Sequence, residues 1–194
     1  MKKEFSVEDI KFSLDIGTRS VIGSAGIVKG TKIDVIKECY IEHHERAMLD
    51  GQIHDISLVT KTVKSVIQNL ENELNVKLEK VNIAAAGRFL KTVNSKAELD
   101  LNKDESIKTL ELKAIKEAEE SIAKEVVGEL YCVGYSVVNY YLNGYIISNL
   151  LGHKGENISV EIIATFLPKS VVDSLYSVMD KCGLRVSSLT LEPI

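Results

Sequence analysis

A long amphipathic helix is the feature that most constrains how this chain can fold. Several closely spaced strands are predicted before it, and one short strand is predicted after it. Apolar residues recur at spacings of three and four from Ile56 to Leu74, and Asp55 lies where a helix N-cap is expected. A helix with one apolar side must bury that side against another layer. Tightly connected apolar segments precede the helix, and one short apolar segment follows it. The expected strands are 11–16, 21–28, 31–41 and 81–86.

The order of these elements indicates a mixed sheet. Consecutive strands joined by tight turns form an antiparallel meander, whereas a strand that follows a helix joins the sheet in parallel through a right-handed crossover. The same pattern resumes after Pro168, with a helix that ends near Gly183 and a final strand at Arg185–Leu191. Residues 1–88 together with 168–194 therefore predict one α/β domain with a ribonuclease-H-like sheet, in the order βββαβ and then αβ.

A different pattern occupies residues 89–167. Apolar and polar residues alternate almost without exception from 92 to 101, which is typical of a strand with one solvated face. An amphipathic helix at 111–127, with Thr109 as its expected N-cap, and two further strands follow. The two strands are expected at 130–141 and 158–167, joined by an exposed excursion at 143–157. Strand–helix–strand–strand is a self-contained arrangement, so we expect an inserted subdomain here.

Composition excludes several classes of protein. The chain has 24 Lys and Arg against 28 Asp and Glu, a net charge of −4, and no basic stripe, so a nucleic-acid surface is not expected. No apolar run approaches the roughly 18 residues of a membrane span, and the first residues have no signal-peptide pattern. Three widely spaced cysteines without a CxxC motif predict reduced, buried thiols. We therefore expect a cytoplasmic protein.

The segment with a chemical interpretation is the turn between the first two strands. Asp15 comes at the end of a strand, and Gly17 would let a ligand approach the backbone without a Cβ in the way. Thr18, Arg19 and Ser20 offer amide groups, hydroxyls and a cation, which are the donors that phosphate oxygens require. A carboxylate beside such donors suits hydrated Mg²⁺. The alternative interpretation is an ordinary polar hairpin turn.

Several short motifs resemble one protein superfamily. Leu14-Asp-Ile-Gly-Thr resembles the phosphate-1 motif of the actin/Hsp70/sugar-kinase superfamily, and Gly51-Gln-Ile-His-Asp is similar to a motif of FtsA, the bacterial actin-like cell-division family. Val81-Asn-Ile-Ala-Ala-Ala-Gly, Lys181-Cys-Gly-Leu and Leu191-Glu-Pro match the same family in order and spacing. This resemblance covers residues 11–194. It implies an actin-type domain with an inserted SHS2-type subdomain at 89–167.

The resemblance also implies a function. The complete protein would bind ATP and Mg²⁺ between two lobes, with Asp15 holding Mg²⁺ through water and with Gly17, Thr18 and Ser20 at the phosphates. Arg19 stands near the position where the family commonly has a lysine. Such a protein polymerises into filaments and tethers the ring of FtsZ, a tubulin homologue, to the inner face of the membrane at the division septum. At most it would be a slow ATPase, and no catalytic residue is assigned.

The resemblance further implies that this sequence is the N-terminal half of a longer protein. The second phosphate loop, the adenosine-binding segment and the C-terminal membrane-binding helix of the family have no counterpart in it. We therefore expect that residues 1–194 alone bind ATP weakly and do not hydrolyse it. Two alternatives stay open: a pilus-assembly scaffold of the PilM type, which binds a partner peptide, and a sugar or acid kinase, which ranks last because no second catalytic acid is identifiable.

Two other residue groups have both a functional and an ordinary interpretation. The histidines and acids near residues 42–54 could bind a metal, although a solvated loop is the favoured interpretation because adjacent residues on a strand end point to opposite faces. Five tyrosines between 131 and 145 could anchor an interface, although strands favour tyrosine in any case. The first group comprises Glu42, His43, His44, Glu45 and His54; the second comprises Tyr131, Tyr135, Tyr140, Tyr141 and Tyr145.

Overall fold

The computed structural model describes residues 10–85, 90–100, 107–122, 128–150, 153 and 157–191. The chain divides into two compact units: the first consists of Met1–Arg88 and Ser170–Ile194, and the second of Phe89–Lys169. The strands are β1 Ile10–Ile16, β2 Ser20–Lys29, β3 Lys32–Glu42, β4 Met48–Leu49, β5 Gln52–Ile53, β6 Lys80–Ala85, β7 Lys91–Asp100, β8 Leu130–Leu142, β9 Tyr145–Ile147, β10 Asn157–Pro168 and β11 Arg185–Leu191. The helices are α1 Ile56–Leu74, α2 Ile107–Ile122 and α3 Lys169–Lys181.

A five-stranded mixed sheet forms the first unit. Its strand order is β11-β6-β1-β2-β3, in which β1, β2 and β3 are antiparallel neighbours and β6 runs parallel to both β1 and β11. The predicted meander and crossover are therefore confirmed. The carboxyl ends of the three parallel strands β1, β6 and β11 lie at the same end of the sheet. The residues of the candidate site lie at this end.

Helix α1 has the bounds that the periodicity predicts. The Asp55 side chain accepts a hydrogen bond from the Leu58 amide at 2.9 Å and so caps the first turn. At the other end Asn75 has a left-handed conformation, and its amide donates to the Glu71 carbonyl. The buried side of the helix packs on β2 and β3, where Gly23 allows a close approach of Val66.

Helix α3 ends as the sequence predicts. Gly183 has a φ of 73°, a conformation that glycine adopts without strain, and the Leu184 amide donates to the Met179 carbonyl at 3.0 Å. The chain can then turn directly into β11. None of the helices in the described part of the chain is long and apolar enough to cross a membrane.

The second unit is a four-stranded antiparallel sheet covered on one face by α2. Its strand order is β7-β10-β8-β9. Leu110, Ala114 and Ala118 of α2 are fully buried against the inner face of the sheet, together with Val160 and Phe166 of β10. Thr92, Asn94, Lys96 and Glu98 of β7 are exposed, so the predicted solvated face is confirmed for these residues. Of the predicted extensions of these elements, Leu101 and residues 123–127 lie outside the described residues.

Two tight hairpins were not predicted. Asp50 and Gly51 both have positive φ, 51° and 81°, and they join β4 to β5 inside the expected loop 43–55. Asn143 and Gly144, with φ of 49° and 84°, join β8 to β9 inside the expected excursion 143–157. Positive φ at both central residues is the requirement of a two-residue hairpin of type I′. The Asp-Gly and Asn-Gly dipeptides were therefore the available signal.

Two smaller predictions were wrong. Thr109 is not the N-cap of α2, because the helix already begins at Ile107 and thereby brings Leu110 into the core. The three cysteines are free, but each is only half-buried. Burial still raises the pKa of the Cys182 thiol to about 11, and its Sγ lies 3.8 Å from the Thr60 carbonyl.

Candidate functional site

The turn between β1 and β2 is closed by a backbone hydrogen bond. The Gly17 amide donates to the Ser20 carbonyl at 2.9 Å. A Cβ at Gly17 would lie 3.3 Å from that same oxygen, so a larger residue would crowd the turn. Thr18 and Arg19 occupy its exposed tip, and Ser20 is half-buried at the start of β2. The five predicted residues are thus brought together in one turn at the end of β1.

Asp15 has an unusual environment. Its side chain lies on the face of the sheet opposite to α1, since its neighbours Leu14 and Ile16 are buried on the helix side. Among the described residues, Oδ1 of Asp15 is the buried side-chain nitrogen or oxygen atom that has no hydrogen-bond partner. Leaving a buried polar atom unpaired costs about 1–3 kcal/mol. A carboxylate oxygen held in this way is a ready acceptor for a bound group.

A small cleft of about 120 Å³ opens beside Asp15. It lies where the three parallel strands end: Asp15 is in register with Ala84 of β6, and Ala84 is in register with Thr190 of β11. Asn82 lines the cleft and is held in place, because its amide donates to the Phe12 carbonyl at 3.1 Å and its oxygen accepts from Ser188 at 2.8 Å. The cleft therefore holds a fixed polar side chain, Asn82, near Asp15, and it lies towards the carboxyl ends of the strands, where open α/β sheets bind ligands.

Arg19 is paired with a neighbouring strand. Its guanidinium lies 3.1 Å from Oε1 of Glu42 on β3, and the two side chains are 81% and 50% exposed. Exposed ion pairs contribute only about 0–1 kcal/mol. The guanidinium can therefore exchange Glu42 for a more strongly charged anion at the turn.

His43 forms hydrogen bonds with the turn between β1 and β2. This role was not predicted from the sequence. Its backbone amide donates to the Arg19 carbonyl at 2.9 Å, its Nε2 lies 3.3 Å from the Gly17 carbonyl, and its Nδ1 lies 3.1 Å from Oγ1 of Thr62. A carbonyl only accepts, so Nε2 carries the proton and Nδ1 accepts from the hydroxyl in the neutral ring. The imidazole thus links the turn to α1.

Burial lowers the pKa of His43 from its ordinary value of 6.5, and the hydrogen bond to the Gly17 carbonyl partly opposes this shift. A group whose pKa is lower in the folded state binds its proton first in the unfolded state. The stability that neutral His43 contributes is complete above about pH 6.5 and is lost as the pH falls towards the folded pKa.

We therefore expect the wild-type protein to lose more stability than His43→Gln between about pH 7.5 and pH 5.5. Urea unfolding at both pH values measures the difference, and Gln retains hydrogen-bonding groups without a charge change in this range. His44→Gln, which replaces an exposed neighbour, is the matched control and should follow the wild type. Equal losses in the wild type and in His43→Gln would contradict the assignment.

The other residues considered as metal ligands do not converge. In the described part of the chain, no group of three or more His, Cys, Asp or Glu side chains is placed to hold a metal ion. His44, Glu45 and His54 are exposed, and the His54 amide donates to the Ala47 carbonyl next to the β4–β5 hairpin.

A larger cleft, of about 590 Å³, lies at the opposite end of the same strands. Lys11, Lys80 and Arg185 line it, near the first residues of β1, β6 and β11. It contains none of the predicted site residues. The candidate site is therefore the smaller cleft at Asp15, where the unpaired carboxylate oxygen lies.

The residues at the smaller cleft fit hydrated Mg²⁺ and phosphate groups. Mg²⁺ keeps several waters and is held by one or two carboxylates, which matches a single Asp15 with an unpaired oxygen. Backbone amides and hydroxyls at the turn are donors suited to phosphate oxygens. When bound, the metal would neutralise phosphate charge, while Asp15 would orient its water ligands.

No protein-family model and no curated protein matches this sequence. Among solved structures, the chain is similar to the "PilM-PilN type IV pilus biogenesis complex", with a TM-score of 0.67 and 10% identity, over 94% of this chain and 47% of that one. The chain thus spans about half the length of that neighbour.

Two further solved structures have lower TM-scores. The first is the cytoplasmic domain of EpsL, an inner membrane component of the type II secretion system of Vibrio cholerae, with a TM-score of 0.40 and 9% identity over 94% of this chain and 55% of that one. The second is a Bacteroides thetaiotaomicron protein with an actin-like ATPase fold and unknown function, with a TM-score of 0.37 and 14% identity over 98% and 55%.

The likeness to the PilM structure extends over both units, since it covers 94% of this chain. The predicted mixed α/β fold class is confirmed: this chain has the fold of that PilM-PilN structure over 94% of its length.

Proposed function

We propose that this chain supplies one wall of an ATP·Mg²⁺ site in an actin-like scaffold protein. The observation that carries the proposal is the buried Oδ1 of Asp15, which has no partner among the described residues and lies beside a small cleft. In this proposal Asp15 orients water ligands of Mg²⁺. Thr18 and Ser20 donate hydrogen bonds to phosphate oxygens, Gly17 lets the phosphate approach the turn without a Cβ in the way, and Arg19 leaves Glu42 to pair with phosphate charge.

The proposed site holds nucleotide and is not assigned a catalytic residue. Asp15 is the one carboxylate at the cleft, and no described residue there is placed as a second acid or base. In the complete protein, such a phosphate-binding site would hold two lobes together around a nucleotide. This role does not require rapid hydrolysis. This favours a scaffold over a sugar or acid kinase.

Two scaffold roles are candidates. The motif order of the sequence supports an FtsA-like role, in which the complete protein polymerises and tethers an FtsZ-type ring to the membrane at the division site. The structural likeness over 94% of the chain supports equally a PilM-like role in pilus assembly with a partner protein. Depleting the protein in its host separates the two: undivided filamentous cells support the first, and normal division with loss of pili supports the second.

The nucleotide proposal is tested by paramagnetic broadening with Mn²⁺ in place of Mg²⁺. With ATP present, we expect Mn²⁺ to broaden the amide signals of Ser13, Gly17 and Ala84, and Asp15→Asn to remove most of this effect. Binding to one wall alone is weak, so about 1 mM Mg·ATP should stabilise the chain by no more than about 0.4 kcal/mol.

Asp34→Asn is the matched control, since Asp34 is an exposed carboxylate on β3 that pairs with Lys29. It should leave the broadening near Asp15 unchanged. Because no protein group pairs with Oδ1 of Asp15, Asp15→Asn should not lower the free energy of unfolding. Equal broadening in the wild type and in Asp15→Asn, or a clear loss of stability in Asp15→Asn, would contradict a role of Asp15 in metal binding. Asp15 would then have only a structural role in the turn.

A further inference from the structure

Strand β8 of the second unit has one edge that is largely without a partner strand. On one side β8 pairs with β10 from Leu130 to Leu142. On the other side β9 pairs with Tyr140, Tyr141 and Leu142 only. In the part of the chain that the structure describes, no strand pairs with the remainder of that edge. We call residues 131–138 the free edge; at about 3.3 Å per residue it is about 26 Å long.

The free edge has neither the charged side chains nor the proline by which many proteins protect exposed strands, although the register of β8 against β10 shifts twice along it, between Glu161 and Ile162 and between Thr165 and Phe166 of β10. Natural edge strands commonly carry charged side chains or proline. The edge strand β7 has Lys91, Lys96 and Glu98, and the edge strand β3 has charges at both ends and in the middle. The sequence of the free edge, Tyr-Cys-Val-Gly-Tyr-Ser-Val-Val, has neither a charge nor a proline.

Several side-chain positions along the free edge are open on the faces of the sheet. A Cβ at Gly134 would meet no atom within 4 Å. Tyr131, Tyr135 and Val138 are exposed by 42%, 46% and 46%. Helix α2 packs chiefly on β7 and β10 and has fewer contacts with β8, where Cys132 and Val137 are only partly buried.

The side of α2 nearest β8 is acidic. Glu111, Ile115 and Glu119 recur at four-residue spacing along it, and all three are half-buried. The Tyr135 hydroxyl donates to Glu111 at 2.6 Å, and the Tyr140 hydroxyl donates to the other oxygen of the same carboxylate. Burial raises the pKa of the Cys132 thiol, and the charge of Glu119 adds to this. Two carboxylates of α2, Glu111 and Glu119, therefore lie on the side of the helix nearest β8.

We propose that the free edge of β8 binds an extended segment of a partner protein, which adds a strand to the sheet and presents alternating basic and apolar side chains. Added strands gain affinity from main-chain hydrogen bonds and specificity from alternate side chains. Side chains on the α2 side of the added strand meet Glu111 and Glu119, which favours Lys or Arg there. Side chains on the outer face lie towards the exposed Ile163, in register with Ser136, which favours apolar residues.

The charge of α2 favours a basic segment of a partner protein at the free edge over a second copy of this chain. Pairing two copies through the same edge would bring the Glu111 and Glu119 carboxylates of both copies into one interface without a described cation on that side of α2. Lys113 and Lys116 point elsewhere, since Lys113 donates to the Glu98 carbonyl and Lys116 lies 3.8 Å from Glu120. This inference does not depend on the nucleotide proposal.

The test uses a phage-displayed library of random peptides about ten residues long, selected on the protein. We expect the enriched peptides to alternate basic and apolar residues. A synthetic copy of one should slow hydrogen exchange of alternate amides within 131–138, as a new ladder requires. Glu119→Lys should weaken its binding about tenfold, whereas Glu120→Lys, on the exposed side of the same helix, should leave it unchanged.

Three outcomes would overturn the proposal. The first is that no peptide is enriched, and the second is that enriched peptides protect amides outside the free edge. The third is a concentration-dependent dimer, seen by sedimentation, in which amides 131–138 are already protected without peptide. If Glu119→Lys and Glu120→Lys weaken peptide binding equally, the proposed contact of the peptide with the carboxylates on the β8 side of α2 is contradicted.

Discussion

Phe166→Ala is expected to unfold the second unit while the first unit stays folded. Phe166 is fully buried on β10 and belongs to the core that α2 covers. Removing a buried phenyl ring costs about 3–5 kcal/mol, because the ring's transfer energy is lost and a cavity is left behind. A domain is stable by only about 5–15 kcal/mol in total, so a small unit comes close to its unfolding threshold.

Hydrogen exchange measured peptide by peptide in increasing urea distinguishes the two units. In the variant we expect peptides from β8 and β10 to lose protection at much lower urea, while peptides from β1 and β6 keep the wild-type transition. Tyr145→Ala is the control, since this side chain is 80% exposed and surface changes usually stay within about 0.5 kcal/mol. Simultaneous loss of protection in both units would mean that they unfold as one cooperative body.

Gly23→Ala is expected to destabilise the first unit by about 1–3 kcal/mol, although alanine is the better residue for a strand. An added Cβ would lie 2.4 Å from Cγ1 of Val66 and 2.9 Å from Cδ1 of Leu70, both on α1. Real Cβ atoms do not approach so closely, so α1 would have to move away from β2. Urea unfolding followed by circular dichroism measures the loss.

A second substitution identifies the cause. Val66→Ala removes the nearer clashing methyl group, so the double variant should lose about 1 kcal/mol less than the two single variants added together. Gly134→Ala is the matched control, because a Cβ there meets nothing and its backbone φ is not positive; we expect little change or a small gain. Strict additivity at Gly23 and Val66 would contradict the close packing of α1 on β2.

The elements that local sequence decides were predicted well. Helix α1 has the bounds of its apolar periodicity, because an N-cap carboxylate and a left-handed Asn75 act within one turn of the chain. Strand β11 likewise has its predicted bounds, since Gly183 ends the preceding helix. The two hairpins were missed because the short strands β4, β5 and β9 have only two or three residues. That is too few to show an alternating pattern.

The sequence by itself determined which fold class this chain adopts and which turn is the candidate site. A strand that ends in Asp15 and Gly17, and the change of periodicity after residue 88, are local patterns. Only the tertiary structure decided that Oδ1 of Asp15 is buried without a partner, and that His43 supports the turn from 26 positions away. It also decided that, among the described residues, one edge of β8 is paired at Tyr140, Tyr141 and Leu142 only. These properties depend on which strands become neighbours, and that choice is made by burying apolar surface across the whole sheet rather than by any single segment.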